Sequence, residues 1–76
     1  MKMVEKENVA TEFGRIIRDA REKKGLFQAD VAQQLGVCRS YYAMIESGNR
    51  EIYFTTAINL CRILNIDISE FMKDLK

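Results

Sequence analysis

Residues 28–48, QADVAQQLGVCRSYYAMIESG, read as two short helices joined by a tight glycine turn. In the first, roughly Gln28 to Leu35, the residues Val31, Ala32 and Leu35 fall on one side, and Gly36 follows as the turn. The second runs from about Arg39 to Ser47, turning Tyr42 and Ile45 inward before Gly48 ends it. So short a connection brings the second helix across the first at a steep angle, and a small residue such as Ala32 is what that crossing needs. An alanine, a glycine and buried apolar positions at these offsets form a joint signal that none of them carries alone.

On either side the same helical period continues, with apolar residues recurring at three and four. A helix is expected from about Glu12 to Lys24, capped by Thr11 or Asn8, with Phe13, Ile17 and Ala20 inward, Ile16 beside them, and Gly25 as its stop. Downstream, a helix near Phe54 to Leu64 is expected to place Phe54, Ala57, Ile58, Cys61 and Leu64 inside, with Asn65 taking a left-handed conformation after it. A last helix opens at Asp67-Ile68-Ser69-Glu70 in a capping-box-like pattern, with Phe71 and Leu75 beside Ile68, and Met72 next to them. The chain therefore reads as all-α, a compact five-helix domain over residues 11–76 preceded by a flexible arm at residues 1–10.

Composition limits the function. The chain has 76 residues, 47% hydrophobic and 30% charged, which is globular and near the low end of what folds on a core of its own. Domains this small rely on disulfides, metal or regular helix packing. Cys38 and Cys61 have no metal-ligand spacing and the chain has no histidine, so structural zinc is excluded and no cofactor is expected. Both thiols read as free and buried, in keeping with a reducing, cytoplasmic setting. The opening MKMVEKENVATEF carries no long apolar run, so neither a signal peptide nor a membrane span is expected. Without histidine, and with no nucleophile beside a plausible base, the parts of an enzyme are missing. A net charge of +1 neither proposes nor forbids a nucleic-acid partner.

The strings IRDAREKKGLFQADVAQQLGV, YYAMIESGNR and LCRILNIDISEF resemble, in order and spacing, the phage-repressor, Cro and Xre-like helix-turn-helix family, whose fold is the lambda-repressor-like domain. The likeness runs from Phe13 to Phe71. It implies that the helix from Arg39 lies in the major groove of double-stranded DNA, with Arg39, Ser40, Ala43 and Met44 base-facing and Tyr41 nearer the backbone. Gln28 matches a residue that touches phosphate, and Asn49 and Arg50 are further backbone candidates. For Arg39 an independent argument points the same way. A cation in the first turn of a helix is disfavoured by the macrodipole, so its place there makes sense if guanine edges or phosphates approach it.

The sequence departs from the family at the helix starts. Phe27 and Cys38 stand where Ser or Thr usually caps, Tyr53 replaces a small polar residue, and Ile52 stands where a proline is usual. Ala43 and Met44 donate no hydrogen bonds, so sequence reading would rest on Arg39, Ser40 and contacts to thymine methyls.

The resemblance implies a homodimeric regulator, a repressor, on a two-fold operator, joined through the region Phe54–Leu75 with Ile66, Met72 and Phe54 contributing. No small-molecule effector domain is expected. A controller of a restriction-modification locus fits as well as a phage or mobile-element repressor. The competing class is a protein-interaction module of the same fold, such as an antitoxin or anti-regulator, which near-zero net charge favours. The family also commonly pairs residues at the positions of Arg21 and Glu46. Glu46 lies near a helix C-terminus, where an anion needs a cationic partner, and the planar fork of Arg21 suits that task.

Overall fold

The structure, a computed structural model, describes residues 6–67 and 69. Within these, four helices follow one another: α1 (Lys6–Lys23), α2 (Gln28–Leu35), α3 (Arg39–Glu46) and α4 (Phe54–Leu64). The fifth helix expected from Asp67 falls on Ile68 and residues 70–76, with Phe71, Met72 and Leu75, which lie outside the described residues; within them the Asp67 carboxylate accepts from the Ser69 N–H at 3.0 Å.

The bounds of α2 and α4 are those that the sequence pattern predicts. Helix α3 ends one residue early, with Ser47 as its cap. Helix α1 differs more, starting at Lys6 instead of about Glu12, so positions 8 and 11 lie within the helix and not at its start. No glycine or proline interrupts residues 6–12, and Val9, one turn before Phe13, packs against the core and extends the apolar stripe upstream.

The core is a single cluster drawn from all four helices: Phe13 and Ile17, Val31 and Ala32, Tyr42 and Ile45, and Leu60, Cys61 and Leu64. Fully burying a large apolar side chain such as Ile17 or Leu60 contributes roughly 1.5–3 kcal/mol, so the packing of the helices is a main source of stability. Helices α3 and α4 each pack on both α1 and α2.

Two expectations about burial are corrected. Phe54 is 76% exposed, and Leu60, absent from the expected inward set, is fully buried. Apolar residues line more than one side of α4, and the helix settles with Leu60, Cys61 and Leu64 inward, which rotates Phe54 out. Cys38 is exposed, unlike Cys61. Its place at the start of α3 leaves it on the surface, since the next inward residue of that helix is Tyr42.

The crossing of α1 and α3 depends on Gly14, which lies mid-helix. A Cβ there would meet the carbonyl oxygens of Glu46 and Ile45 at 2.4 and 2.6 Å. Only hydrogen fits, and the C-terminal end of α3 therefore rests directly on the α1 backbone. At the α2–α3 turn Gly36 has φ +83° and donates its N–H to the Ala32 carbonyl at 2.9 Å. Asn65 does the corresponding work after α4, with φ 56° and ψ 47°.

Candidate nucleic-acid interface

Helix α3 has two unlike sides. Tyr42, Ile45 and Glu46 are buried, whereas Arg39, Ser40 and Met44 are exposed and Tyr41 and Ala43 half-covered. Residues three and four apart share a helix face, so 39, 40, 43 and 44 form one outward strip. Asn49 and Arg50 follow in the exposed segment after the helix, and the Arg50 guanidinium sits 5.0 Å from the centre of the Tyr41 ring. That cation–π contact holds a positive charge beside the strip.

Gln28, the first residue of α2, connects this strip to the interior. Its Oε1 accepts a hydrogen bond from Arg39 Nη1 at 3.1 Å. Its Nε2 donates to Glu46 Oε1 at 3.0 Å. Glu46 in turn accepts from Arg21, whose Nε lies 2.6 Å from Oε2 and whose Nη2 lies 3.2 Å from Oε1. Arg21 Nη1 donates to the Leu26 carbonyl at 2.8 Å, which ties the loop between α1 and α2 into the same set. Of the eight residues singled out for contact with DNA, Arg39, Ser40, Ala43 and Met44 share the outward strip of α3, Gln28 is hydrogen-bonded to Arg39, Tyr41 is half-covered and lies against Arg50, and Asn49 and Arg50 are exposed after the helix.

Burial pushes the Glu46 carboxyl up, but the hydrogen bonds from Arg21 and Gln28, with the Tyr42 hydroxyl close by, outweigh that and hold it below the ordinary carboxylate range. The Arg21 guanidinium is raised mainly by its bond to Glu46. The Tyr42 hydroxyl is buried near this carboxylate without completing a hydrogen bond, and burial raises it far above the usual phenol range. Burial also raises the Cys61 thiol, which keeps it protonated and inert.

The helix starts have the backbone of caps without the side chains. Phe27 (φ −88°, ψ 160°), Cys38 (φ −76°, ψ 156°) and Tyr53 (φ −72°, ψ 148°) are all extended, and none makes a side-chain cap bond. At α2 one half of a capping box is present, because Asp30 accepts from the Phe27 N–H at 2.8 Å. An acid three residues after a cap position was a legible signal. Gly14 was another, since glycine inside a helix is unfavourable and usually marks close packing. The link from Glu46 to Gln28 left no trace in the pattern, the two residues being 18 apart in the chain.

No group of three or more Cys, Asp or Glu that could hold a metal ion occurs among the described residues, and none of their helices is long and apolar enough to cross a membrane.

Comparison with known proteins places these features in context. The helix-turn-helix family model matches residues 17–71. An uncharacterized HTH-type transcriptional regulator of Bacillus subtilis, YqaE, is 33% identical over 61 residues, covering 80% of this chain and 53% of its own length. The chain thus spans about half the length of that relative. The control protein C.MunI of a Mycoplasma species is 30% identical over 70 residues, covering 91% of this chain and 95% of that protein. Among solved structures, the restriction-modification controller protein C.AhdI of Aeromonas hydrophila superimposes with a TM-score of 0.74 at 32% identity, covering 82% of this chain and 94% of that one. The clp gene regulator ClgR of Corynebacterium glutamicum shares the fold, with a TM-score of 0.80 at 19% identity, covering 88% of this chain and 71% of that one.

Proposed function

This chain belongs to the helix-turn-helix family of transcriptional regulators, and on that footing we propose that it is a repressor that binds a two-fold DNA operator as a homodimer. The single observation that carries the reading is the outward strip of α3, where Arg39, Ser40, Ala43 and Met44 lie together with Gln28 beside Arg39. In the major groove, Arg39 reads a guanine edge, Ser40 adds a hydrogen bond, and Ala43 and Met44 contact thymine methyls. Gln28, with its second amide hydrogen, and Tyr41, Asn49 and Arg50 hold the phosphate backbone and fix the register. The DNA-binding domain takes in all of α1, from Lys6 and not from the expected residue 11, because Val9 packs on the core, and work on DNA puts the protein in the cytoplasm. The reading assigns it no catalytic step and no cofactor.

Dimerisation is supported by Phe54, a large apolar side chain left 76% exposed at the start of α4. Two such protomers set their recognition helices about 34–36 Å apart, one turn of DNA. The likeness to two control proteins over nearly their whole lengths supports a controller that regulates its own locus.

The test is selection of bound sequences from a random DNA pool, followed by affinity measurements on the selected site. A two-fold site should emerge, and Arg39→Ala should weaken binding by roughly 1–3 kcal/mol and relax preference at one base pair per half-site. If no sequence is enriched, the reading fails and the protein-interaction module takes its place. If Arg39→Ala leaves affinity and preference unchanged, α3 is not the reading helix. A monomer in analytical ultracentrifugation, both free and on its site, removes the dimer.

A further inference from the structure

We propose that Glu46 is a positioning residue for DNA recognition, acting through Gln28 on Arg39. The inference rests on the proposed reading of DNA by Arg39, and adds to it a buried residue that never meets the nucleic acid.

A carboxylate only accepts hydrogen bonds and a guanidinium only donates them, while a glutamine amide does each at one end. Gln28 stands between the two ions, its Nε2 at 3.0 Å from Glu46 Oε1 and its Oε1 at 3.1 Å from Arg39 Nη1. Only one of the two amide orientations satisfies both neighbours. Turned by half a rotation, the amide would set oxygen against oxygen at Glu46 and nitrogen against nitrogen at Arg39. The anion at 46 therefore decides which end of Gln28 faces Arg39.

Glu46 suits that task because it cannot move away. Its side chain is only 4% exposed, and Arg21, at 11%, holds both of its oxygens. Arg21 is itself anchored to the Leu26 carbonyl. Four side chains from three helices thus lead from the interior to the surface, and the fixed end is the buried one. Arg39, at the exposed end, would otherwise sample many rotamers, an entropy that is lost when it docks. Held through Nη1, it keeps Nε and Nη2 for a base edge or a phosphate. The Arg21–Glu46 pair thus serves recognition as well as stability.

The test is a double-mutant cycle on DNA affinity between Glu46→Gln and Arg39→Ala, two residues that share no hydrogen bond. All variants are measured where circular dichroism shows them fully folded. Glu46→Gln keeps the size of the side chain but removes the charge, and its amide nitrogen sets a donor either against Arg21 Nε or against both Arg21 Nη2 and Gln28 Nε2. Positioning predicts that Glu46→Gln loses about tenfold in affinity when Arg39 is present and much less in the Arg39→Ala background. It also predicts relaxed preference at the same base pair that Arg39→Ala relaxes, and nowhere else. A purely structural role for Glu46 predicts equal losses in both backgrounds with base preference intact, and that result overturns the proposal. If Glu46→Gln does not fold, Gln28→Met decides. It removes the link while leaving Arg21–Glu46 in place, and an unchanged base preference in that variant overturns the proposal equally. A wild-type protein that prefers no DNA sequence overturns this inference together with the functional reading beneath it. Specific wild-type binding with additive mutants overturns this inference alone.

Discussion

Arg21 on α1 grips Glu46 on α3 with two hydrogen bonds, Nε to Oε2 at 2.6 Å and Nη2 to Oε1 at 3.2 Å, and both side chains are shielded from water. The carboxylate lies in the last turn of α3, where the helix dipole disfavours it, and the guanidinium offsets that unfavourable placement. Exposed ion pairs contribute little, but removing one partner of a buried pair leaves the other charged and dry. The pair joins the first helix to the end of the third, whose Ile45 and Glu46 carbonyls also face Gly14 two turns earlier on α1.

Arg21→Ala and Glu46→Ala should each destabilise the fold by about 3–5 kcal/mol. Urea denaturation of the two single variants and the double variant checks this. The double variant should be much less destabilised than the sum of the singles, because it strands no charge. A coupling energy near zero would show that the two groups act independently.

The pair also makes stability depend on pH, with a definite sign. The Glu46 carboxyl is held below its ordinary value of 4.5, and Arg21 stays protonated throughout. The folded state therefore binds the Glu46 proton less readily than the unfolded chain does. Its stabilising contribution is complete above the unfolded value and is lost as pH falls through the lower folded value. Thermal denaturation between about pH 7 and pH 3 should show that loss in the wild type and much less of it in Glu46→Gln. Parallel curves for the two proteins would remove Glu46 as the cause.

Gly14→Ala should destabilise by about 1–3 kcal/mol or more, because the new methyl meets the backbone carbonyls of Ile45 and Glu46, which have no rotamer to move into. The sign is the informative part. Alanine is the better helix former and would stabilise an exposed helix by close to 1 kcal/mol. A thermal midpoint that rises would place α1 and α3 further apart than they are here.

The helix starts offer changes in the opposite direction. Phe27→Ser and Cys38→Ser should each stabilise by roughly 0.5–2 kcal/mol, since both positions already have the extended backbone of a cap. Phe27 is 76% exposed and Cys38 is exposed, so truncating either removes no core packing. At α2 a serine would complete the box that Asp30 half forms. Chemical denaturation of the two variants checks this, and a loss of stability at both would mean that these side chains pack against something in solution.

Much of this molecule was legible in residue order. The short helices on either side of Gly36, the left-handed Asn65 and the burial of Val31, Ala32, Tyr42 and Ile45 follow from local rules of period and turn chemistry. The candidate strip of α3 came from the family resemblance, and helical period adds only that positions 39, 40, 43 and 44 share a face. The start of α1 was misplaced because Asn8 and Thr11 are good caps in isolation, yet both lie inside the helix once Val9 packs on the core.

The rotation of α4 and the links from Gln28 to Glu46 and Arg39 were decided by tertiary structure alone, whereas the Arg21–Glu46 pair was expected from the family resemblance. Apolar residues at 54, 57, 58, 60, 61, 63 and 64 satisfy more than one helical stripe, and only the shape of the surface offered by α1 and α2 selects Leu60 over Phe54. Likewise Gln28 and Arg39 each read in the sequence as ordinary polar residues at the start of their own helices. The crossing that Gly14 permits brings Glu46 to Arg21, and the turn at Gly36 brings Gln28 to Arg39. Period and propensity act over one or two turns of chain, whereas a hydrogen bond between residues 11, 18 or 25 apart exists only once the helices have packed.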